Sequence, residues 1–412
     1  MAVKTPLARN VKALAAVSFF TDMASEMIYP LLPLFLSTVL GTSAAVLGVI
    51  EGLAESVSSL LRLPAGWLSD RLGKRKPLIV FGYAVASAAR PLIGLAQSAG
   101  QVLAIRLTDR FGKGVRSAPR DALIADSVPE DQRGYAYGVH RAADNLGAVL
   151  GPLIAWALLS LAWVDLRSLF LWAALPGAIS VVLVVALVRE VGVGRALSHT
   201  AGSASPLVAT VAVAEPVATK AARAQEPLGA PFWRYLAALF VFTLSTSTDA
   251  FLLLRASQLG VPTAMIPILW ATLHVVKSSS TAIGGALSDR LGRRPLILGG
   301  WTIYAFVYLG FALAQVEWHA WALFLVYGLY FGMVEGTEKA FVADLVPAAR
   351  RGTAFGWFNA ALGIGVLPAS VIFGVVWERA GAEVAFLMGA SVAAVAMLLF
   401  VLLVAPPRRP VR

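Results

Sequence analysis

The chain has no cysteine and only four histidines. Disulfides and thiol catalysis are therefore excluded, although the compartment is not decided by that. His140, His199, His274 and His319 stand at no metal-ligand spacing, so no metal is expected. Charge is also scarce. Asp, Glu, Lys and Arg make up 14% of the residues, against about 25% in ordinary globular proteins. Around Gly112-Lys113-Gly114 the G-x-x-x-x-G-K-[ST] spacing of a phosphate-binding loop is missing. No nucleotide fingerprint or Ser-His-Asp arrangement stands out, so neither a cofactor nor an enzymatic activity is expected.

What fills the chain instead is apolar. Hydrophobic residues reach 58% and mean hydropathy is +0.76. A bilayer-spanning helix needs roughly 20 mostly apolar residues. Twelve such windows can be read, at 13–36, 46–68, 78–97, 100–124, 136–160, 167–189, 233–256, 262–288, 295–314, 318–343, 352–376 and 383–404. The period-2 alternation of β-barrel strands is absent. The expected class is an all-α, multi-pass membrane protein of about twelve spans. The N-terminus has a basic start and an apolar run, but no A-x-A-like site closes that run before Asp22 and Glu26, so a retained first helix is expected. The tryptophans read as interface anchors and packing.

Net charge is +11, which in a soluble protein would raise nucleic acid as a partner. The positions of the charges argue otherwise. Most of the 34 Lys and Arg fall in the termini and the even-numbered connections, while Arg167 and Arg379 alone fall in the opposite loops. That is the positive-inside asymmetry. It predicts both termini on the cytoplasmic side of the inner membrane and needs no nucleic acid.

Residues 191–231, rich in Ala, Val, Ser, Thr and Pro, interrupt the pattern and read as a linker. They separate an N-terminal bundle of six spans, 1–190, from a C-terminal one, 232–412. The halves echo each other. GWLSDRLGKRKPLI (66–79) returns as GALSDRLGRRPLI (285–297), and ADSVPEDQRGYAYG (125–138) as ADLVPAARRGTAFG (343–356), in the same order and at nearly the same offset. Asp22 in TDMA and Asp249 in TDAF fit the same scheme. A repeat of six spans means two related, pseudo-symmetric bundles.

With these repeats the chain resembles the major facilitator superfamily over nearly its full length. The most specific element is the duplicated loop G-x-L-x-D-R-x-G-R/K-R/K. Gly66, Asp70, Arg71, Gly73, Lys74 and Arg75 match the first copy, and Gly285, Asp289, Arg290, Gly292, Arg293 and Arg294 the second. Glycine permits close helix approach, and the aspartate can pair with an arginine or sit at a helix N-terminus. The alternative is that the basic run only orients the helices. The resemblance implies a conformational latch between the halves. Three further patterns resemble the superfamily's proton-coupled exporters. Arg110-Phe-Gly-Lys-Gly114 is similar to its fourth-span R-x-x-Q-G, with Lys113 where Gln is usual. Gly147-x-x-x-Gly151-Pro152 is similar to the core of the antiporter pattern, though the later glycines are missing and the spacing also suits ordinary helix packing. Asp22 with Tyr29-Pro30-Leu31-Leu32-Pro33 resembles the first span of drug–proton antiporters.

A charge at mid-bilayer costs several kcal/mol, so charges within spans must share protected faces. On a helical wheel the seven charges of RLTDRFGKGVRSAPRD (106–121) fall in an arc of about 140°, with Ser117 among them and Leu107, Phe111, Val115, Ala118 and Ala122 opposite. Pro119 is expected to bend this span. Similar faces carry Asp22, Glu26 and Tyr29; Glu51, Glu55, Ser58 and Arg62; Tyr137, His140, Arg141, Asp144 and Asn145; His274, Lys277, Ser278 and Thr281; and Glu335, Glu338 and Lys339. The spans are therefore expected to enclose a cavity lined by both signs of charge. Internal ion pairing that only holds helices together is the rival reading.

The expected function is a secondary transporter working by alternating access, a proton antiporter that exports a small organic compound. Asp22, Glu26, Glu51 and Glu55 are the candidate proton carriers, with Arg110 as coupling partner. The candidate cavity residues are Tyr29, Arg62, Lys113, Arg116, Ser117, Arg120, Asp121, Arg141, Asp144, Asn145, Asp249, His274, Lys277, Glu335, Glu338 and Lys339. ATP-driven transport would need a nucleotide-binding domain, of which the sequence has no sign. The alternative is a proton-coupled importer of an anionic solute such as a carboxylate, with a membrane sensor or intramembrane enzyme behind it. Protons, a small-molecule substrate and the lipid bilayer are the expected partners of a monomer.

Overall fold

A computed structural model describes residues 8–129, 132–161, 163–191, 228–347 and 350–404, apart from the side chains of Ala282, Ala286 and Asp289. Most of the expected linker lies outside the described residues. The described residues form helices and connections, with no strand among them. In chain order the long helical segments are α1 (Arg9–Ile28), α2 (Ala44–Leu72), α3 (Lys76–Leu95), α4 (Ala99–Asp126), α5 (Arg133–Ser160) and α6 (Leu166–Leu187). After the linker follow α7 (Ala230–Gln258), α8 (Ile266–Leu291), α9 (Arg293–Leu313), α10 (Glu317–Leu345), α11 (Arg351–Ala380) and α12 (Ala382–Leu403). Nine of the described helices are long and apolar enough to cross a membrane. Windows were expected on α1, α4 and α8 too, but these fall outside that group. They are helices in which polar and charged residues interrupt the apolar run.

Local chemistry sets the helix ends. On the face away from the termini, Ser43, Ser98 and Asp165 accept a hydrogen bond from the backbone N–H three residues on, and so cap α2, α4 and α6. The Ser168 hydroxyl and N–H hold the Asp165 carboxyl below its usual range. At the opposite, basic face α3 has no cap of its own. Glu190 replaces it, accepting from the N–H groups of Arg75 and Lys76, both at 2.9 Å. Gly73 ends α2 at φ 62°, a left-handed value that a side chain adopts only with strain. Pro30 and Pro33 each withdraw an N–H, and beyond Ile28 the first helix changes pitch through a 3₁₀ turn and a π turn to Val39. Pro119 lies inside α4, which continues to Asp126.

The packing repeats as the sequence echoes predict. α2 lies on α4 as α8 lies on α10, and α3 on α4 as α9 on α10. α1 packs on α5 and α6 as α7 packs on α11 and α12. The halves meet along two equivalent seams, α2 with α11 and α5 with α8. Near the face away from the termini the first seam is tight. A Cβ at Gly48 would meet the Ser370 carbonyl, and one at Gly374 the Ala44 carbonyl. There Ala45 N–H donates to Glu378 at 3.3 Å, and Tyr29 and Thr248 hydroxyls lie 3.4 Å apart. The main hydrophobic core runs across both halves. A second cluster, around Val11, Ile79, Tyr83 and Ile124, belongs to the first half alone.

Candidate functional site

Two adjoining cavities lie between the halves, of about 380 and 440 Å³. Drug-sized ligand sites run from about 300 to 1,000 Å³. Tyr29, Arg110, Glu335 and Lys339 line both, so the two abut along these side chains. The first cavity is walled by the charged faces of α1, α4, α5 and α8. The second reaches to α2, α7, α9, α10 and α11.

The wheel of α4 explains its orientation. Arg106, Asp109 and Arg116 are buried, while Phe111 and Thr108 are exposed. For Arg106 and Asp109, ion pairs replace hydration. Arg106 grips Glu51 of α2 with two hydrogen bonds, of 2.9 and 2.7 Å. Arg90 of α3 donates to Asp109 at 2.7 Å and to the Thr21 carbonyl of α1 at 3.1 Å. Glu335 of α10 faces three cations: Arg141 at 3.2 Å, Lys277 at 3.5 Å and Lys339 at 4.0 Å. Arg141 belongs to the other half, so this carboxylate bridges the seam.

Other groups stay unpaired. Among the described residues, Arg110, Lys113, Arg116 and Arg62 form no ion pair within 4.0 Å, and Arg116 Nε and Nη1 have no hydrogen-bond partner although the residue is only 4% exposed. Asp22 and Glu55 line the cavities, likewise without a cation inside that distance. Glu26 accepts from Trp270 Nε1 at 2.7 Å and lies 3.8 Å from His274. Asp249 accepts from the Tyr327 hydroxyl at 2.7 Å, and buried Glu338 accepts from Trp301 Nε1 at 3.0 Å.

The structure thus brings together most of the residues expected from the sequence: Asp22, Glu26, Tyr29, Arg110, Lys113, Arg116, Arg141, Asp144, Asn145, His274, Lys277, Glu335 and Lys339 around the first cavity, and Glu51, Glu55, Arg62, Asp249 and Glu338 around the second. Three expected cavity residues line neither. Ser117 turns its hydroxyl to the Lys113 carbonyl at 2.6 Å. Arg120 folds onto its own neighbour Asp121 at 2.9 Å, nearer the basic end of α4. Reading the charges by wheel angle alone placed these with the cavity because angle ignores depth. Sequence reasoning also missed Arg90, the Trp270 and Trp301 donors, and an aromatic wall of Phe242, Tyr304, Tyr327, Tyr330 and Phe331. The spacing of Tyr327, Tyr330 and Phe331 on one helical face is the signal that could have found the wall.

Gly147 and Gly151 pack directly on Phe19 and Met23 of α1, so the geometry around Pro152 is close helix contact. In the duplicated loops the two sequence echoes touch. Arg75 reaches Asp126 at 2.7 Å, and Arg293 reaches Asp344 at 3.4 Å. Each aspartate is the one in its ADxVP echo. Asp70, by contrast, is 71% exposed at its side chain and 3.5 Å from Arg75. Arg71 lies over Trp67 and Arg294 donates to the Val401 carbonyl. Gly66 faces Ala118, and Gly285 faces open space; Gly292 has φ 93°. Lys74 and Arg290 lie at the basic face, and the Asp289 side chain lies outside the described residues. The two pairs, which join the same segments in each half, should differ in worth. Asp126 and Arg75 are 17% and 11% exposed, whereas Asp344 and Arg293 are 56% and 28% exposed. Asp126→Ala is expected to cost about 1–3 kcal/mol and Asp344→Ala about 0–1 kcal/mol. Thermal unfolding of the purified variants checks the order, and equal or reversed losses would contradict it.

The sequence model described as the Major Facilitator Superfamily matches residues 14–367 and 258–412. An uncharacterized MFS-type transporter of Methanocaldococcus jannaschii is 31% identical over 399 residues, covering 95% of this chain and 94% of that protein. A multidrug resistance protein MdtG of Klebsiella pneumoniae is 32% identical over 177 residues, 42% of each chain. Among solved structures, a POT family transporter in complex with 5-aminolevulinic acid superposes with a TM-score of 0.77 over 96% of both chains at 12% identity.

Proposed function

Because the chain belongs to the Major Facilitator Superfamily and is a multi-pass membrane transporter, we propose that it exports a small organic compound by proton-coupled antiport. In this reading the basic face, with both termini, is cytoplasmic. The observation that carries the proposal is the mixture of unpaired groups in the two adjoining cavities. Asp22 and Glu55 lack a cation while Arg110, Lys113 and Arg116 lack a carboxylate. A carboxylate gains a proton more easily when its arginine moves away and loses it when the arginine returns. Groups held in no fixed pair can make that exchange as the halves rock. Glu26 and Glu51 are second choices, since each is already engaged, by Trp270 and Arg106. The similarity to MdtG proteins supports the outward direction for organic compounds. The tight seam between α2 and α11 near Gly48 and Gly374 supports a state closed on the outer side.

Everted vesicles containing the protein provide the test. With an imposed pH gradient, inside acid, added substrate should be accumulated and should release protons, seen as partial recovery of a quenched pH-sensitive dye. Accumulation that ignores the gradient would sink proton coupling. Substrate leaving the vesicles as protons leave would reverse the direction to import.

A further inference from the structure

Once the fixed ion pairs are set aside, the two cavities offer different groups to a ligand. Arg106 is held by Glu51, Arg90 by Asp109, and Arg141, Lys277 and Lys339 gather on Glu335. Lys113 and Arg116 remain in the first cavity alone, Arg110 is shared by both, and Arg62 remains in the second. Arg116 is the most telling. It is buried under the cavity wall with Tyr83 beneath its guanidinium at 4.3 Å, yet Nε and Nη1 meet no acceptor. An unsatisfied buried charge is costly, and an anionic ligand group would offset that cost. The remaining carboxylates there have other roles: Glu26 takes the Trp270 N–H, Asp144 lies 3.4 Å from His140, and Asp22 is the carrier proposed above.

The second cavity, which Arg62 and Arg110 also line, adds an aromatic side. Its wall is the aromatic surface of Phe242, Tyr304, Tyr327, Tyr330 and Phe331, with Asp249 hydrogen-bonded to Tyr327 and no cation within 4.0 Å of it among the described residues. Ring faces attract ammonium groups. This wall already holds one, since Lys277 Nζ lies 4.1 Å from the Phe331 centroid.

We propose that the adjoining cavities form one site selective for zwitterionic organic compounds, with the anionic group against Lys113 and Arg116 and the cationic group between Asp249 and the aromatic wall. Arg110 and Tyr29, which line both chambers, mark the passage the ligand body spans. The proposal rests on reading these cavities as the transport site and names the class of compound it takes.

Equilibrium binding to the purified full-length protein, without any gradient, tests it on one scaffold. The probes are 4-(aminomethyl)benzoate, its methyl ester, which keeps only the ammonium, and 4-methylbenzoate, which keeps only the carboxylate. The zwitterion should bind at least ~10-fold more tightly than either, the size expected when a charged hydrogen bond is lost. Arg116→Leu should abolish the preference over the ester and keep the preference over 4-methylbenzoate. Asp249→Asn should do the reverse. If Arg116→Leu does not fold, Lys113→Ala reads the same ratio. Equal binding by either analogue, binding by none of the three, or ratios that survive both variants would overturn the proposal. That failure would leave gradient-driven export in vesicles standing. Zwitterion selectivity without gradient-dependent flux would support the site and sink antiport alone.

Discussion

Replacing Arg110 by Ala is expected to abolish gradient-driven transport while leaving the protein inserted and folded. Arg110 lines both cavities, so it stands where the two chambers join. Its acidic neighbours are Glu55, Asp109 and Glu51. Two of those already have arginines of their own, Asp109 from Arg90 and Glu51 from Arg106. Glu55 has no such fixed partner, and among the cations around it, with Lys113 and Arg62, Arg110 acts most strongly, in a pair that is not closed. Folding therefore depends little on the Arg110 guanidinium, whose Nε has no partner, whereas a carboxylate that must ionise and protonate in turn depends on it heavily. If the pair closes during the transport cycle, truncating one member costs about 2–5 kcal/mol in that closed state, roughly 30-fold at the low end and over a thousandfold at the high end. The comparison to make is between pH-driven accumulation and substrate exchange at equal pH on both sides. Loss of the first with retention of the second is the signature of uncoupling. Unchanged pH-driven accumulation would remove Arg110 from the mechanism, and Arg110→Lys should fall between, since a charge remains but the fork does not.

The charged faces were legible in the sequence because a bilayer leaves them few places to go. A stripe such as that of α4 can only turn inward, and Arg106, Asp109 and Arg116 are buried where the wheel puts them. Partner choice was less legible. Nothing in the spacing says that Glu51 of α2 belongs to Arg106, or that Arg90, a lone arginine near the end of an apolar helix, crosses to Asp109. Those pairings depend on the relative depth of neighbouring helices. The same limitation explains Arg120 and Asp121, which share the angle of the stripe but sit a turn beyond the cavity and pair with each other. The aromatic wall was hidden for a different reason. Tyr327, Tyr330 and Phe331 look like ordinary apolar filling of α10, and only packing against Tyr304 and Phe242 makes them a surface. The duplicated loops were recognised as repeats, but their contact with the other repeated segment, Arg75 with Asp126 and Arg293 with Asp344, is a fact of the fold. In the first loop Arg75 pairs with Asp126 and lies 3.5 Å from Asp70, both of its own half, and Asp70 stands exposed.

Glu51→Ala is expected to destabilise the protein by about 3–5 kcal/mol, the usual result of removing one partner from a buried pair. Both members are nearly inaccessible, at 4% and 6% side-chain exposure, and the alanine would leave Arg106 with Asp109 at 3.7 Å and the Tyr29 ring at 5.7 Å as its remaining neighbours. Arg106→Met alone should cost a similar amount by stranding the carboxylate. The double variant Glu51→Leu with Arg106→Met should recover most of the loss, because apolar side chains of similar volume often replace a buried pair at little cost. Thermal or denaturant unfolding in detergent measures all three, and a double variant as unstable as the singles would show that the pair's role is not captured by mutual neutralisation. Transport by the double variant then separates two readings of Glu51. If the pair serves only to join α2 to α4, restored stability should bring restored pH-driven flux. If Glu51 carries a proton, the double variant should be stable and inactive, since the leucine in its place cannot take up or release one.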